Sequence, residues 1–440
     1  MGERSSLLRG QTVDVAIERG VYRGLGLARH EGQVIFVPRG LPGERLRVRV
    51  TGVEKGYARA VAVETLEVSS DRRPSPCPLF SSCGGCAYQD LGYVAQLRLK
   101  EAILRESLSR AGKPWEGEIA IEGSPEQGWR TRASFHVDAR SDPVRLGFYE
   151  QESHDVVDLS GPCLQISPGM NGATRHLRDV LSSLPAVARQ VRDVHLAESM
   201  DGSRCVASFE GDLSPAEAAV LASVAAEAPW PTGLGAVITT RGRRRFIALR
   251  GSPYLTAEVA GVRFRSHARS FFQSNRFLVG ALAGEVTRLI PSGGLLLDLF
   301  GGVGLFGLTA GRSSDRVVIA EEDATAVADA QENAGGAGLG HVRVERGQVA
   351  EVLARHAAEP GERIVVDPPR SGLGANLVSS IAARSPEVVV YVSCDPTTLG
   401  RDLRFFSSAH YEVDAIRAFD LFPDTFHLET VVRLRSAFRR

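Results

Sequence analysis

The stretch LLLDLFGGVGL at residues 295–305 determines the fold of the C-terminal part of the chain. A short apolar run ends here in a turn that holds Gly301, Gly302 and Gly304. Glycines let the backbone turn tightly and approach a ligand in the crevice outside a strand end. The spacing is not GxGxxG, so the loop alone fits a nucleotide site, a nicotinamide site or a plain tight turn.

Six more strand-length apolar runs follow, and helical stretches separate most of them. These runs are RVVIA (316–320), HVRVE (341–345), RIVVD (363–367), EVVVYVS (387–393), YEVDAIRAF (411–419) and LETVVRLR (428–435). Near-continuous apolar strands with helical crossovers indicate a parallel sheet that is covered on both faces. We therefore predict an α/β, Rossmann-like domain over residues 256–440.

Several of these runs end in chemically distinctive residues. Glu321 follows the second run and could accept hydrogen bonds from a ribose, although acidic strand ends are often solvated turns. Asp367 precedes two prolines, which lack N–H donors and form a rigid rim. Because the carboxyl ends of parallel strands share one edge of a sheet, we expect a ligand site there.

Cys394 follows the run 387–393, and a proline stands two residues later. A lone cysteine usually packs as a small apolar residue, but this one should point into the crevice at the strand ends. A thiolate there could add to an electrophilic carbon, and a nearby base would complete such a reaction. Glu429 and His427 both lie in the connection between the last two strands, and the residues alone do not choose between them.

The part of the chain before residue 256 divides near residue 69. Residues 5–68 alternate apolar and polar residues between glycine-rich turns, which predicts a small β-barrel. Residues 69–255 begin with three cysteines and a helical pattern, and we expect a central α+β domain. In that pattern Val94, Leu97, Ile103, Leu104 and Leu108 fall near one face.

Four cysteines of the central segment could bind a metal. Cys77, Cys83 and Cys86 lie within ten residues, and Cys163 follows far along the chain. Four thiolates suit either tetrahedral zinc or an iron–sulfur cluster, and spacing alone does not decide between them. Unligated buried cysteines are the structural alternative.

Composition excludes several classes of protein. The 440 residues include 52 basic and 52 acidic side chains, so any RNA-binding surface must concentrate positive charge locally. No apolar run reaches the roughly 18 residues that span a bilayer, and the N-terminal stretch MGERSSLLRG lacks the apolar run that is typical of a signal peptide. We expect a cytoplasmic protein with no membrane contact.

Five motifs together resemble the RNA (uracil-5-)-methyltransferase family. They are FFQSN (271–275), DLFGGVG (298–304), DPPR (367–370), YVSCDPTTL (391–399) and FPDTFHLET (422–430). The resemblance implies methylation of carbon 5 of uracil in RNA, with Cys394 as nucleophile and Glu429 as the base. It also implies S-adenosylmethionine as cofactor, with contacts from Gln273, Phe300, Glu321 and Asp367.

The resemblance extends over the whole chain. GLGLAR (24–29), GQVIFVP (32–38) and LPGE (41–44) resemble a TRAM domain, a barrel of OB-like appearance found on RNA-modifying enzymes. CPLFSSCGGC (77–86) and the stretch ending at Cys163 imply a [4Fe-4S] cluster held by Cys77, Cys83, Cys86 and Cys163, with zinc as the weaker alternative. A barrel together with this cluster is more similar to the bacterial 23S ribosomal RNA enzymes than to the transfer RNA enzymes.

One departure and three other functions remain open at this point. The family commonly has Asn after the nucleophile, whereas this chain has Asp395, whose charge would raise the pKa of the thiol. The alternatives are a transfer RNA enzyme, a nucleic-acid methyltransferase acting on cytosine or an exocyclic nitrogen, and a non-catalytic RNA-binding iron–sulfur protein. The barrel and the arginines near 130–132 and 241–245 are the candidate RNA contacts.

Overall fold

The chain builds a closed barrel, two larger sheets and a hairpin. The computed structural model describes residues 7–437. Residues 5–6 and 438–440, at the ends of the first and third predicted segments, lie outside the described residues.

The N-terminal barrel has five strands in the order β1-β2-β3-β5-β4, and β4 closes on β1. Alternate residues of β1, such as Val13, Val15 and Ile17, point into its apolar core. The predicted small barrel is confirmed. Its strands are β1 (Thr12–Val21), β2 (Leu25–His30), β3 (Gln33–Pro38), β4 (Arg45–Glu54) and β5 (Tyr57–Glu67).

The next helix, α1 (Tyr93–Arg110), is followed by the short strand β6 (Ala120–Glu122). Ile103, Leu104 and Leu108 of the predicted apolar face are buried, but Val94 is 68% exposed. The assignment of Val94 to the buried face was wrong, because polar Gln96 and Lys100 occupy that face instead.

A seven-stranded sheet with helices forms the middle of the molecule, in the order β13-β12-β11-β10-β7-β8-β9. Its core gathers apolar residues from α2, α4 and the strands. The strands are β7 (Arg132–Asp138), β8 (Arg145–Tyr149), β9 (Val156–Asp158), β10 (Val191–Glu198), β11 (Cys205–Leu213), β12 (Gly233–Thr240) and β13 (Arg243–Arg250). The helices are α2 (Pro168–Ser183), α3 (Pro185–Ala188) and α4 (Pro215–Ala225).

After the hairpin of β14 (Tyr254–Val259) and β15 (Val262–His267) comes α5 (Val279–Leu289) and then an eight-stranded sheet. The sheet order is β18-β17-β16-β19-β20-β22-β21-β6. Its later strands are β16 (Leu295–Leu299), β17 (Arg316–Glu321), β18 (Val342–Arg346), β19 (Arg363–Val366), β20 (Val388–Ser393), β21 (Tyr411–Phe419) and β22 (Glu429–Ser436). The helices between them are α6 (Leu305–Thr309), α7 (Ala324–Gly336), α8 (Val349–Arg355), α9 (Gly374–Ala383) and α10 (Pro396–Ser408).

The predicted α/β fold of the last segment is confirmed, with one difference in strand direction. β18, β17, β16, β19 and β20 run parallel, whereas β22 is antiparallel to both β20 and β21. The chain from β21 to β22 contains no helix, so the last strand returns directly and inserts beside β20. An antiparallel strand begins where its parallel neighbours end, and this places Glu429 at the edge of the sheet that carries Cys394.

The eight-stranded sheet is covered on both faces. One apolar cluster includes Leu282, Phe306 and Val390, and the other includes Leu104, Val366 and Tyr391. Both faces of β20 are therefore buried, which explains why its sequence is continuously apolar.

Candidate active site

The carboxyl ends of β16, β17, β19 and β20 open into one cleft of about 1460 Å³. Strand register fixes this arrangement, because Leu299 pairs with Val366, and Val366 pairs with Tyr391. The structure brings all six predicted catalytic and cofactor-binding residues to this cleft. They are Gln273, Phe300, Glu321, Asp367, Cys394 and Glu429.

The glycine-rich loop is bound to the end of β17. The backbone N–H of Gly302 donates to Glu321 Oε2 at 2.9 Å, while Glu321 Oε1 accepts from the N–H groups of Glu322 and Asp323 at 2.8 Å each. Phe300 has a φ of 64°, in the left-handed region that side chains rarely adopt. Such strain is often found where a loop must take a fixed shape for a ligand.

Two acidic residues lie side by side behind this edge. Burial raises the pKa of Asp367 to about 7, helped by the charge of Asp298, while Gln273 Nε2 donates to Asp367 Oδ2 at 3.3 Å. Burial likewise raises the pKa of Asp298 to about 7. Its Oδ2 accepts from the N–H of Gly307 at 2.7 Å, and its Oδ1 has no partner among residues 7–437. Sequence reasoning missed Asp298, although a charged residue inside LLLDLF was the available signal.

Cys394 lies directly after β20 and is half-buried. Burial raises the pKa of its thiol to about 12, with smaller contributions from the carboxyls of Glu429 and Asp367. The guanidinium of Arg370 acts in the opposite direction and favours the thiolate.

Asp395 caps the helix that follows the nucleophile. Its Oδ1 accepts from the N–H groups of Thr397 and Thr398 at 2.8 and 3.1 Å, and from Thr397 Oγ1 at 2.6 Å. A carboxylate at a helix N-terminus is stabilised by unpaired N–H groups and the helix dipole. Its charge raises the pKa of Cys394 less than burial, Glu429 and Asp367 do. Asp395, which stands where the family commonly has Asn, therefore stabilises the N-terminus of α10. It raises the pKa of the Cys394 thiol less than the other two carboxyls do.

Glu429 is the first residue of β22 and is fully buried beside Cys394. Ser393 pairs with Thr430 across β20 and β22, so the residues just beyond that pair, Cys394 and Glu429, stand next to each other. Burial raises the pKa of Glu429 well above its usual range, and Asp367 adds to the effect. Glu429 Oε1 has no hydrogen-bond partner in the described part of the chain.

His427 lies close by, but its Nε2 already accepts a hydrogen bond. Its Nε2 is 3.1 Å from a guanidinium nitrogen of Arg370, which can only donate. Burial and the charge of Arg370 lower the pKa of His427 to about 3, so the ring is neutral at physiological pH. Of the two residues that the sequence left open as bases, only Glu429 presents an unpaired acceptor.

Helix α1 holds the connection between β21 and β22, which carries His427 and leads to Glu429. Lys100 Nζ donates to Asp420 Oδ1 at 2.6 Å and to the carbonyl of Phe422 at 3.0 Å. Gln96 Nε2 donates to Asp424 Oδ1 at 2.9 Å. Both side chains are buried, and this is why polar residues occupy the inner face of α1. Sequence reasoning did not find them, because their partners lie more than 300 residues away.

The four cysteines of the central segment line a second, smaller cavity together with Phe80, Phe148 and Arg130. Those cysteines are Cys77, Cys83, Cys86 and Cys163. Within residues 7–437, no three Cys, His, Asp or Glu side chains are placed to hold a single metal ion.

Two of these thiols already accept hydrogen bonds. The N–H of Gly85 donates to Cys83 Sγ at 3.4 Å, and Gln89 Nε2 donates to Cys86 Sγ at 3.3 Å. Such donors stabilise sulfur ligands of a bound cluster. Cys205 lies apart, fully buried in the core of the middle sheet.

The arginines that the sequence suggested as RNA contacts reach the main cleft in two ways, some directly and one through a partner. Arg130 and Arg132 line the main cleft, and Arg132 also donates to the carbonyl of Ala268. Arg244 pairs with Glu210, which lines the same cleft.

No helix of the described residues is both long and apolar enough to cross a membrane.

Comparisons with known proteins agree with this geometry. A family model described as tRNA (uracil-5-)-methyltransferase matches residues 253–437, and a TRAM domain model matches residues 7–63. An RNA methyltransferase of Aquifex aeolicus is 31% identical over 436 residues, covering 97% of this chain and 99% of the relative. One from Streptomyces avermitilis is 34% identical over 452 residues, covering 97% and 99%.

A solved structure has the same fold over nearly the whole chain. It is the Pyrococcus abyssi tRNA (uracil-54, C5)-methyltransferase in complex with S-adenosyl-L-homocysteine. The TM-score is 0.72 at 24% sequence identity, and the match covers 96% of this chain and 99% of the other.

Proposed function

The chain belongs to the RNA methyltransferase family that includes the tRNA (uracil-5-)-methyltransferases, and we propose that it methylates carbon 5 of a uridine in RNA, using S-adenosylmethionine. The observation that carries the proposal is the pairing of a thiol and an unpaired carboxyl at neighbouring strand ends. Cys394 and Glu429 occupy these positions, and both line the main cleft.

The thiol has a specific task in this reaction. Carbon 5 of uracil is too weak a nucleophile to take a methyl group directly. When the Cys394 thiolate adds to carbon 6, electron density moves to carbon 5, which becomes enolate-like. The cationic Arg370 beside Cys394 favours the thiolate that this step requires.

The carboxyl completes the reaction. Once carbon 5 carries its methyl group, a base must remove the remaining proton so that the Cys394 thiolate can leave carbon 6. Glu429 Oε1 is the available acceptor, and the raised pKa of Glu429 suits a group that must hold the proton afterwards.

The residues around the cleft suit S-adenosylmethionine. Gln273, Phe300, Glu321 and Asp367 would hold it, with Asp298 supporting the loop from behind. Asp367 lines the cleft, and a cation beside this buried carboxyl would stabilise its charged form. When bound, the sulfonium supplies the methyl group to carbon 5.

We expect S-adenosylmethionine to bind more tightly as pH rises from 6 to 8. Asp367 has a pKa of about 7, so it is mostly neutral at pH 6 and mostly ionised at pH 8, when it attracts the sulfonium charge. The dissociation constant should fall by about tenfold if one carboxyl must ionise. Calorimetric titration would measure it. S-adenosylhomocysteine lacks the sulfonium charge and should depend less on pH, and equal slopes for the two ligands would contradict this assignment.

The substrate that we favour is 23S ribosomal RNA, with transfer RNA as the alternative. The combination of a barrel with a cysteine cluster resembles the bacterial 23S ribosomal RNA enzymes, and this resemblance supports the ribosomal substrate. The full-length structural match is to an enzyme whose name specifies tRNA uracil-54, which keeps the alternative open. In vitro transcripts of both RNAs would distinguish the two substrates. Each transcript would be incubated with enzyme and isotopically labelled S-adenosylmethionine.

Nucleoside analysis of those products tests the proposed function directly. We expect label in 5-methyluridine. Label in 5-methylcytidine or an N-methylated base would replace the proposal with a cytosine or exocyclic-nitrogen enzyme. No label in either RNA or in total cellular RNA would favour a non-catalytic RNA-binding protein.

We also propose that Cys77, Cys83, Cys86 and Cys163 hold a [4Fe-4S] cluster. They surround one cavity with apolar walls, and a four-iron cluster takes one thiolate on each iron, so its ligands enclose a volume. Zinc, which draws four thiolates around one point, is the weaker candidate. The three segments 5–68, 69–255 and 256–440 would then be the barrel, cluster and methyltransferase domains, with α1 and β6 of the second segment packed onto the eight-stranded sheet of the third.

Protein purified without oxygen should contain four irons and four sulfides per chain, as such a cluster does. Cys163→Ser should lower both contents, whereas Cys205→Ser, in the core, should leave both unchanged. Zinc without sulfide in the wild-type protein would contradict the cluster.

A further inference from the structure

The turn between β1 and β2 of the barrel reaches the loop that carries His427. Tyr22 in this turn lies with its hydroxyl 3.3 Å from His427 Nδ1. Its ring meets Phe426 edge-on, with the centroids 5.3 Å apart. Gly24, two residues on, lies so close to Ala87, which follows Cys86, that a side chain at position 24 would collide with Ala87, and it also contacts the ring of Phe426. The barrel therefore packs against the loop that carries Phe426 and His427, at the edge of the methyltransferase cleft.

The direction of each hydrogen bond follows from the donors available. Arg370 can only donate, so His427 Nε2 accepts and the ring proton is on Nδ1. Nδ1–H then donates to the Tyr22 oxygen. The Tyr22 O–H is then free to point toward Asp395, whose negative charge, after burial, raises the pKa of Tyr22.

These contacts lead to Arg370, which lines the same cleft as the nucleophile Cys394. The charged groups that act on the Cys394 thiol are Glu429 from β22, Asp367 from the end of β19, Asp395 from the cap of α10, and Arg370, and the titratable hydroxyl of Tyr22 lies within electrostatic reach of the same thiol. Only the guanidinium of Arg370 favours the thiolate among these groups. A cation acts strongly on a half-buried thiol only when it is held close, because Coulomb energy falls with distance.

We propose that Tyr22 is a positioning residue of the methyltransferase site, which fixes the His427 tautomer and thereby holds Arg370 beside the Cys394 thiol. The barrel is then a working part of the catalytic site as well as a candidate RNA contact. The methylation that Tyr22 supports rests on the proposed function, but its effect on the thiol does not.

Tyr22→Phe in the full chain tests the proposal, because it removes the hydroxyl and keeps the ring against Phe426. The rate of Cys394 alkylation by iodoacetamide would be followed against pH, with mass spectrometry of the Cys394 peptide. We expect the apparent pKa of Cys394 to rise by about half to one unit, which slows alkylation below that pKa about three- to tenfold. In RNA methylation, kcat should fall and KM for RNA should stay unchanged.

Tyr57→Phe is the matched control, since its ring packs edge-on against Phe36 within the barrel. It should leave the alkylation profile unchanged. If the profiles of Tyr22→Phe and wild type coincide while only Tyr22→Ala slows alkylation, then the ring merely packs and the proposal is overturned. If the profile shifts but wild type methylates no RNA, the role of Tyr22 stands and the proposed function fails.

Discussion

Cys394→Ala is expected to abolish methylation of RNA, with a loss on the order of 10⁴-fold or more. Without the thiol, nothing adds to carbon 6, and carbon 5 stays too weak a nucleophile to be methylated. The thiol is half-buried at the end of β20 and Ala is only one atom smaller, so the fold should persist. Transfer of labelled methyl groups to RNA in single-turnover conditions would measure the loss.

Cys205→Ala provides the matched control. Cys205 is fully buried in the core of the middle sheet, far in sequence from the methyltransferase strands. This change should lower thermal stability and leave the rate of methyl transfer within a few-fold of wild type. If Cys394→Ala kept a comparable rate, the covalent mechanism would be wrong and methylation of a nitrogen would become the better explanation.

Glu429→Gln should trap the reaction halfway. The amide cannot take the proton from carbon 5, so the RNA would acquire its methyl group and stay bound to Cys394. Gln is isosteric with Glu, and the wild-type carboxyl already has a raised pKa in its buried site, so the fold should tolerate the change. A denaturing gel should show labelled methyl groups in a band that contains both protein and RNA.

His427→Asn separates the two candidate bases. His427 is neutral and its Nε2 accepts from Arg370, so its replacement should slow the formation of the adduct without trapping it. If His427→Asn accumulated the methylated adduct and Glu429→Gln turned over normally, the base would have to be reassigned to His427.

Local sequence predicted the barrel and the α/β sheet because each follows from short-range patterns. The barrel strands alternate between a buried and an exposed face, and β16, β17, β19 and β20 are buried on both faces and mostly apolar. Strand ends in a parallel sheet share an edge, so Glu321, Asp367 and Cys394 could be brought together from the strand order alone.

The remaining features depend on contacts between distant parts of the chain. The antiparallel β22 brings Glu429 to Cys394, and the apolar pattern of a strand does not reveal its direction. Lys100 and Gln96 are polar residues on a buried helix face, since their partners belong to the loop before β22. Tyr22 meets His427 across 405 residues of sequence. Periodicity within a segment carries no information about such pairs.

The most direct test of a covalent uracil carbon 5 mechanism uses RNA containing 5-fluorouridine, incubated with the protein and S-adenosylmethionine. Fluorine at carbon 5 cannot leave as a proton, so the thiolate cannot be expelled after methylation. The mechanism predicts a denaturation-resistant protein–RNA adduct that requires S-adenosylmethionine and maps to Cys394 by mass spectrometry. Absence of an adduct at Cys394, under conditions where ordinary RNA is methylated, would contradict it.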